Sequence, residues 1–435
     1  MSLLTTTPGN TKPSLSERYA GVRGFTDRLT ADLGPEDATV QSMSDASPVK
    51  WHLAHTTWFF ETFVLARLDG YRPVDAAFES LFNSYYNTVG TPFPRALRGV
   101  LSRPTLDQAR RYRRAVDESL RGALDAGLTE RDPDAAAIIE LGLHHEQQHQ
   151  ELILTDIKHA FSINPLQPAV IPGGLDQEPA VAAPDTGWTT FDEGNYEVGH
   201  ADAGFAYDNE SPRHRVWLDA YQLRNSPATC GEYQAFIADD GYSRPELWLS
   251  EGWATVQGEG WAAPIYWRND GGDWSEFSLA GRIPLQADRP VTHLSYFEAD
   301  AFARWSGARL PTEAEWEAAA AAQPIVGNFA DVLMQSGLAP HPAAEVRHAE
   351  DDVGPLCRLY GDSWEWTSSS YTAYPGYRPP PGALGEYNGK FMCNQYVLRG
   401  GSCASSSDHL RATYRNFFST AARWQFSGVR LARLA

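Results

Sequence analysis

The chain has 435 residues, enough for two hydrophobic cores, and its 36 basic and 55 acidic side chains give a formal charge of −19. That balance excludes a basic stripe for nucleic acid or for an anionic membrane surface. No apolar run approaches the ~20 residues of a membrane span, and the polar stretch Met1 to Pro13 has no signal-peptide core, which predicts a cytoplasmic protein. The four cysteines (Cys230, Cys357, Cys393, Cys403) are too few for a disulfide framework and show no zinc-knuckle spacing, so they read as reduced thiols.

The first third of the chain reads as helices. Ser14 to Leu33 is amphipathic, and Trp51 to Leu68 is rich in apolar and aromatic residues. The capping box Thr105-Leu106-Asp107-Gln108 opens a third helix that runs to about Leu124. Asp132-Pro133-Asp134 opens a fourth, which continues through Ile138 and Ile139 to Phe161. Together they predict a four-helix bundle over residues 1–163, a scaffold whose core commonly holds metals. Five prolines and a Gly173-Gly174 pair then predict a linker over 164–187. Residues 188–435 carry 12 of the 14 tryptophans, many glycines and short mixed segments, which suits an irregular α+β domain.

The fourth helix contains His145-Glu146-Gln147-Gln148-His149-Gln150-Glu151. At roughly 100° per residue, His149 lies about 40° from His145, on the same face, while Glu151 lies about 160° from His149 and points away. Two histidines in this register can hold one metal ion, and the third ligand must come from another helix. Trp51-His52-Leu53-Ala54-His55 is the best supplier, because five of the twelve histidines sit in these two segments (His52, His55, His144, His145, His149). Three imidazoles without a thiolate suit zinc, iron, nickel or copper about equally, so spacing alone leaves the metal open.

The pairing of a Leu-Ala-His segment with a later H-x-x-x-H-x-E resembles the DinB-like bundle of the ergothioneine-biosynthesis sulfoxide synthases (hercynine oxygenases). The second half is similar to the formylglycine-generating-enzyme domain, a C-type-lectin-like fold. That likeness rests on Arg309-Leu310-Pro311-Thr312-Glu313-Ala314-Glu315-Trp316-Glu317, Gly361-Asp362-Ser363-Trp364-Glu365-Trp366-Thr367, Leu398-Arg399-Gly400-Gly401-Ser402 and Gly428-Val429-Arg430-Leu431-Ala432. The resemblance implies iron(II) held by His55, His145 and His149, with His52 as the neighbour one turn away, whose part in holding a ligand or a water it leaves open. It further implies that O2 is used to join the sulfur of a cysteine derivative to C2 of hercynine, giving a sulfoxide. Three neutral ligands leave room on an octahedral ion for imidazole, thiolate and O2.

Carried over residue by residue, Asn416 is expected to hydrogen-bond the hercynine carboxylate, and Phe417 or another aromatic nearby to face its trimethylammonium. Gln148, about 60° from His145 on the helical wheel, is expected beside the bound imidazole. Ser84-Tyr85-Tyr86-Asn87 resembles the family branch that places paired tyrosines on the bundle, so Tyr85 and Tyr86 are the expected proton or electron donors, with Tyr387 in reserve. Arg95 and Arg98 match arginines that bind the carboxylate of the sulfur donor. Phe418 stands where mycobacterial-type members carry an aspartate for γ-glutamylcysteine, which favours free cysteine over γ-glutamylcysteine. Trp316, Trp364 and Trp366 are assigned to packing, and Arg309 and Glu313 to structural ion pairs. The rival readings are a zinc or nickel DinB-like thiol transferase or hydrolase, a C5-histidine synthase of the ovothiol type, and a lectin-like binding module without turnover. A formylglycine-generating activity is not supported by Cys393 and Cys403.

Overall fold

The computed structural model describes residues 13–175, 184–201, 204–342 and 355–435. Its N-terminal part is built on four long helices, α1 (Leu15–Leu29), α2 (Val49–Phe63), α3 (Leu106–Asp125) and α4 (Pro133–Ile163). Local chemistry sets their starts. Ser14 with Glu17, and Thr105 with Gln108, form reciprocal capping boxes, and the Asp132 side chain accepts from Ala135 N ahead of Pro133. α1 is shorter than its apolar pattern predicts and closes at a Thr30 cap. α2 starts two residues early, behind Pro48, and gives way to a 3-10 turn at Leu65–Arg67. The periodicity persists through that turn while the hydrogen-bond pattern tightens.

α4 is buried on nearly every face over its second half, so it serves as the central post of the molecule. Beneath the histidines, Glu146 of α4 accepts from Arg23 Nη1 (2.8 Å), Arg113 Nη2 (2.6 Å) and Thr26 Oγ1 (2.6 Å), tying α1, α3 and α4 together. The two guanidinium groups hold the Glu146 carboxyl well below the usual carboxylate range despite its burial.

The C-terminal part is assembled from small sheets and short helices, as its turn-rich composition predicts. A four-stranded sheet runs in the order Asn416–Ser419, Gln395–Arg399, Trp364–Ser370, Ser427–Gly428, and the last pair is parallel. Another sheet places Tyr221–Arg224 between Trp188–Phe191 and Ala432–Leu434, near the two ends of this half. Arg309 pairs with Glu315, and Glu313 with Arg399 and Arg415, so both act within the scaffold.

The described part of the expected linker does not hang free. Val170 N and Ile171 N both donate to Leu279 O, and Ala339 N donates to Gly174 O, because Val170 and Ile171 bury against the C-terminal half. That half and the bundle share one apolar cluster, which contains Trp58 and Tyr86 as well as Tyr207 and Trp364. No described helix is long and apolar enough to cross a membrane.

Candidate metal centre and substrate cavity

α2 and α4 bring His55, His145 and His149 together, with one ligand atom from each lying within 4.8 Å of the others. The ring centroids are 4.6 to 4.9 Å apart pairwise. His55 Nε2 and His145 Nε2 face each other at 3.2 Å. That is about the separation of two neighbouring ligands on one ion with bonds near 2.1 Å.

The surrounding hydrogen bonds fix which ring nitrogens are bare. His55 Nδ1–H donates to Phe82 O (2.6 Å), so its Nε2 carries the lone pair. Asp156 Oδ2, which also accepts from Ser47 N, accepts from His52 Nε2 (3.1 Å), and His52 Nδ1 then accepts from His149 Nδ1 (2.8 Å). That chain leaves Nε2 of His149 as its ligand atom. His145 Nδ1 has no partner, which leaves Nε2 as its only engaged nitrogen. Burial, reinforced for His55 and His149 by the neighbouring imidazoles, pushes all three pKa values down, that of His145 to about 3. Three neutral imidazoles with converging lone pairs fit a divalent metal ion and leave little other use for the arrangement.

His55 is sandwiched between two indoles. Trp51 stacks on it at 4.5 Å and Trp58 at 5.7 Å, both within 15° of parallel. The Arg98 guanidinium caps Trp51 at 3.4 Å and donates to Ser47 Oγ and Ser84 Oγ. Arg98 is therefore buried behind a ligand and does not line the adjoining cavity.

That cavity, about 220 Å³, opens beside His145 and His149. Of the residues expected from sequence, it collects Tyr85, Arg95, Gln148, Tyr387, Asn416, Phe417 and Phe418 around these two ligands. His52, His55, Tyr86 and Arg98 lie outside its lining. Tyr86 is fully buried beneath Tyr85 (ring centroids 4.7 Å). Arg95 donates to Asp45 O at the rim. Phe417 stacks on Tyr371 at 4.0 Å, and Asn416 Oδ1 accepts from Phe417 N. Phe418 leans on Trp424.

Sequence reasoning missed the wall residues Asn388, Phe391 and Gln425, and Glu151 and Tyr414 line the cavity as well. Glu151, pointing away from the ligand face, accepts from Trp364 Nε1 (2.8 Å), Ser402 Oγ (2.5 Å) and Ser405 Oγ (2.9 Å). It clamps α4 to the C-terminal half, and Trp364 does more than pack. Gln148 is held at both ends. Tyr387 Oη donates to its Oε1, and its Nε2 donates to Tyr414 Oη (2.7 Å), which continues to His409 Nε2 (3.3 Å) and across His409 Nδ1 to His144 Nδ1 (3.0 Å). The Tyr85 loop is pinned from the other half as well. Glu386 accepts from Asn87 N, Thr88 N and Thr88 Oγ1, and Lys390 donates to Tyr85 O. Burial raises the pKa values of Tyr85, Tyr387 and Tyr414, so all three keep their protons at neutral pH.

A helical bundle that clusters three histidines, two of them lining a cavity walled by a fused α+β domain, has the two-part architecture of a candidate metal-site enzyme. Residues 18–153 match the DinB superfamily, and residues 177–435 match the sulfatase-modifying factor enzyme 1-like domain. The hercynine oxygenase of Mycolicibacterium thermoresistibile is 34% identical, covering 91% of this chain and 90% of its own. That of Mycobacterium tuberculosis is 33% identical over 89% and 91% of the two chains. The formylglycine-generating enzyme of Streptomyces coelicolor is 29% identical over 48% of this chain and 76% of its own. The chain belongs to the hercynine oxygenase family and is an oxidoreductase.

Proposed function

We propose that this enzyme acts in ergothioneine biosynthesis, using O2 to join the sulfur of a cysteine derivative to C2 of hercynine as a sulfoxide. The observation that carries this reading is the converging set of bare imidazole nitrogens, two of whose histidines line a cavity walled by both halves. Iron(II) is the metal proposed for His55, His145 and His149; bound there, it supplies open coordination positions that bring thiolate, imidazole and O2 within reach of one another.

The chain's own residues do the rest. Asn416 offers an amide to the hercynine carboxylate, and Phe417 provides an aromatic wall for the trimethylammonium. Gln148, held between Tyr387 and Tyr414, sets the polar side of the cavity next to His145 and His149. Tyr387 points its proton at Gln148, whereas Tyr85 lines the cavity with its phenol protonated, so Tyr85 is the proposed proton donor. Arg95 at the rim receives the carboxylate of the sulfur donor.

The test is anaerobic reconstitution with iron(II), followed by O2 uptake with hercynine plus either cysteine or γ-glutamylcysteine, and NMR of the product. O2 uptake and a C2–S bond are expected. A tightly held zinc ion with no O2 uptake, or a C5–S bond, would overturn the proposal.

A further inference from the structure

A second cavity, about 360 Å³, lies between α4 and the segments around Phe205 and Leu384 of the C-terminal half. It shares Tyr387 and Asn388 with the metal cavity, so the Tyr387 ring stands as a wall between the two. On α4, Ile138 and Leu141 line the second cavity, and His145 follows Leu141 by four residues. One helix face thus runs from this cavity to the metal ligands, with a rise of about 6 Å from Leu141 to His145. The Tyr387 ring lies 5.7 Å from that of His145 on one side and stacks on Tyr207 at 5.5 Å on the other.

Most of the cavity's charged groups are already paired, and Tyr207 Oη is a buried lining atom without a partner. Glu140 pairs with Arg18 at 2.7 Å, and Asp208 accepts from Tyr377 Oη (2.7 Å) and Asn388 Nδ2 (2.6 Å). What faces the space is mostly aliphatic and aromatic, and its outer rim at Ala137, Gly204 and Pro380 is exposed. With its carboxylates paired and a single lone phenol hydroxyl, the site has no cluster of charged groups to hold a zwitterionic substrate. It suits a small apolar molecule, as dry apolar cavities take up xenon.

We propose that this cavity is the O2 antechamber of the enzyme: dioxygen partitions into it from solvent and passes the Tyr387 ring to reach the metal side. The inference rests on the O2-dependent function above. It separates the path of the apolar co-substrate from the polar mouth at Arg95, so that bound hercynine and thiol would not block O2.

Two experiments test it together. Crystals of the whole protein pressurised with xenon should show the gas among Ile138, Leu141 and Leu384, a readout that needs no bound metal. Ile138→Trp and Leu384→Trp, one on each wall, should exclude xenon and raise the KM for O2 about fivefold or more, with the KM for hercynine within about twofold. Two variants on different elements guard against one failing to fold. Xenon absent from the cavity of O2-consuming wild type overturns the inference, as does an unchanged KM for O2 in filled variants that exclude xenon. Wild type that takes up no O2 under any donor overturns the functional reading instead, and this inference with it.

Discussion

The Asp156–His52–His149 chain should govern metal affinity without touching the metal. In His52→Phe, the His149 Nδ1–H loses the acceptor it now has at 2.8 Å, in a site where His149 is only 8% exposed. With Nε2 committed to an ion, that N–H cannot turn to find another partner, whereas in the free protein the ring can change its tautomer. The cost of an unmade buried hydrogen bond, about 1–3 kcal/mol, therefore falls on the bound state. It corresponds to roughly a 5- to 150-fold weaker hold, which brackets the roughly 10- to 100-fold typical for groups that orient a metal-bound histidine. Asp156→Leu should weaken binding by a similar but smaller factor, because His52 loses the carboxylate at 3.1 Å that fixes its tautomer. Since both residues act through one nitrogen, the double variant should be no worse than His52→Phe alone. Anaerobic competition for iron(II) against a chromogenic chelator measures all three, with circular dichroism to confirm folding. An affinity in His52→Phe within about twofold of wild type, or single effects that multiply in the double variant, would refute the reasoning.

Three further outcomes are expected. Glu146→Gln leaves the Arg23 and Arg113 guanidinium groups without their shared counter-charge in a fully buried site, and should cost about 3 kcal/mol of stability; an unchanged Tm would contradict this. Lys158 is fully buried, with Nζ 2.6 Å from His293 Nε2 and near Glu276, Cys403 and Tyr266, and burial lowers its pKa from 10.5 to about 8. Below pH 8 both folded and unfolded chains carry this proton and the burial cost is felt in full. Between about 8 and 10.5 the folded chain loses it first, the unfolded chain binds more protons, and stability rises with pH. Lys158→Met should thus stabilise at pH 7 by up to about 3 kcal/mol, less the lost contacts, with an advantage that shrinks toward pH 10; denaturant titrations showing the same gain at both pH values would sink the idea. Phe418 lines the cavity as an apolar wall against Trp424, so cysteine should turn over faster than γ-glutamylcysteine, and equal rates would remove that role from Phe418.

The helices were legible in the sequence because their signals are local. Capping boxes, a proline at a helix start and a four-residue histidine spacing are each complete within one stretch of chain, and the same helical wheel that paired His145 with His149 correctly turned Glu151 away from them. Contacts between distant positions leave no such trace. Asp156 reaches His52 across 104 residues, Glu386 reaches the Tyr85 loop across 298, and Tyr414 reaches Gln148 across 266. Arg98 carried the residue type of a carboxylate binder, and only packing reveals that its guanidinium caps Trp51. The proline-rich stretch after α4 read as a free connector because composition reports chain stiffness, and the burial of Val170 and Ile171 depends on a surface more than 100 residues later.

The long-range contacts also explain why the histidine site sits at the seam of the two halves. α4 alone supplies two of the three clustered histidines on one face, Gln148 between them, and Glu151 on another face to grip Trp364, Ser402 and Ser405. A shift of the C-terminal half against α4 would break the Glu151 clamp and displace Tyr387 and Tyr414, which hold Gln148. Bundle alone would give a metal site open to water, and the lectin-like half alone would give a wall with nothing to react. Because one helix registers both sets of contacts, docking of the halves and assembly of the cavity are a single event. A substitution that loosens the seam, such as Glu151→Ala, should therefore lower turnover before it lowers metal content.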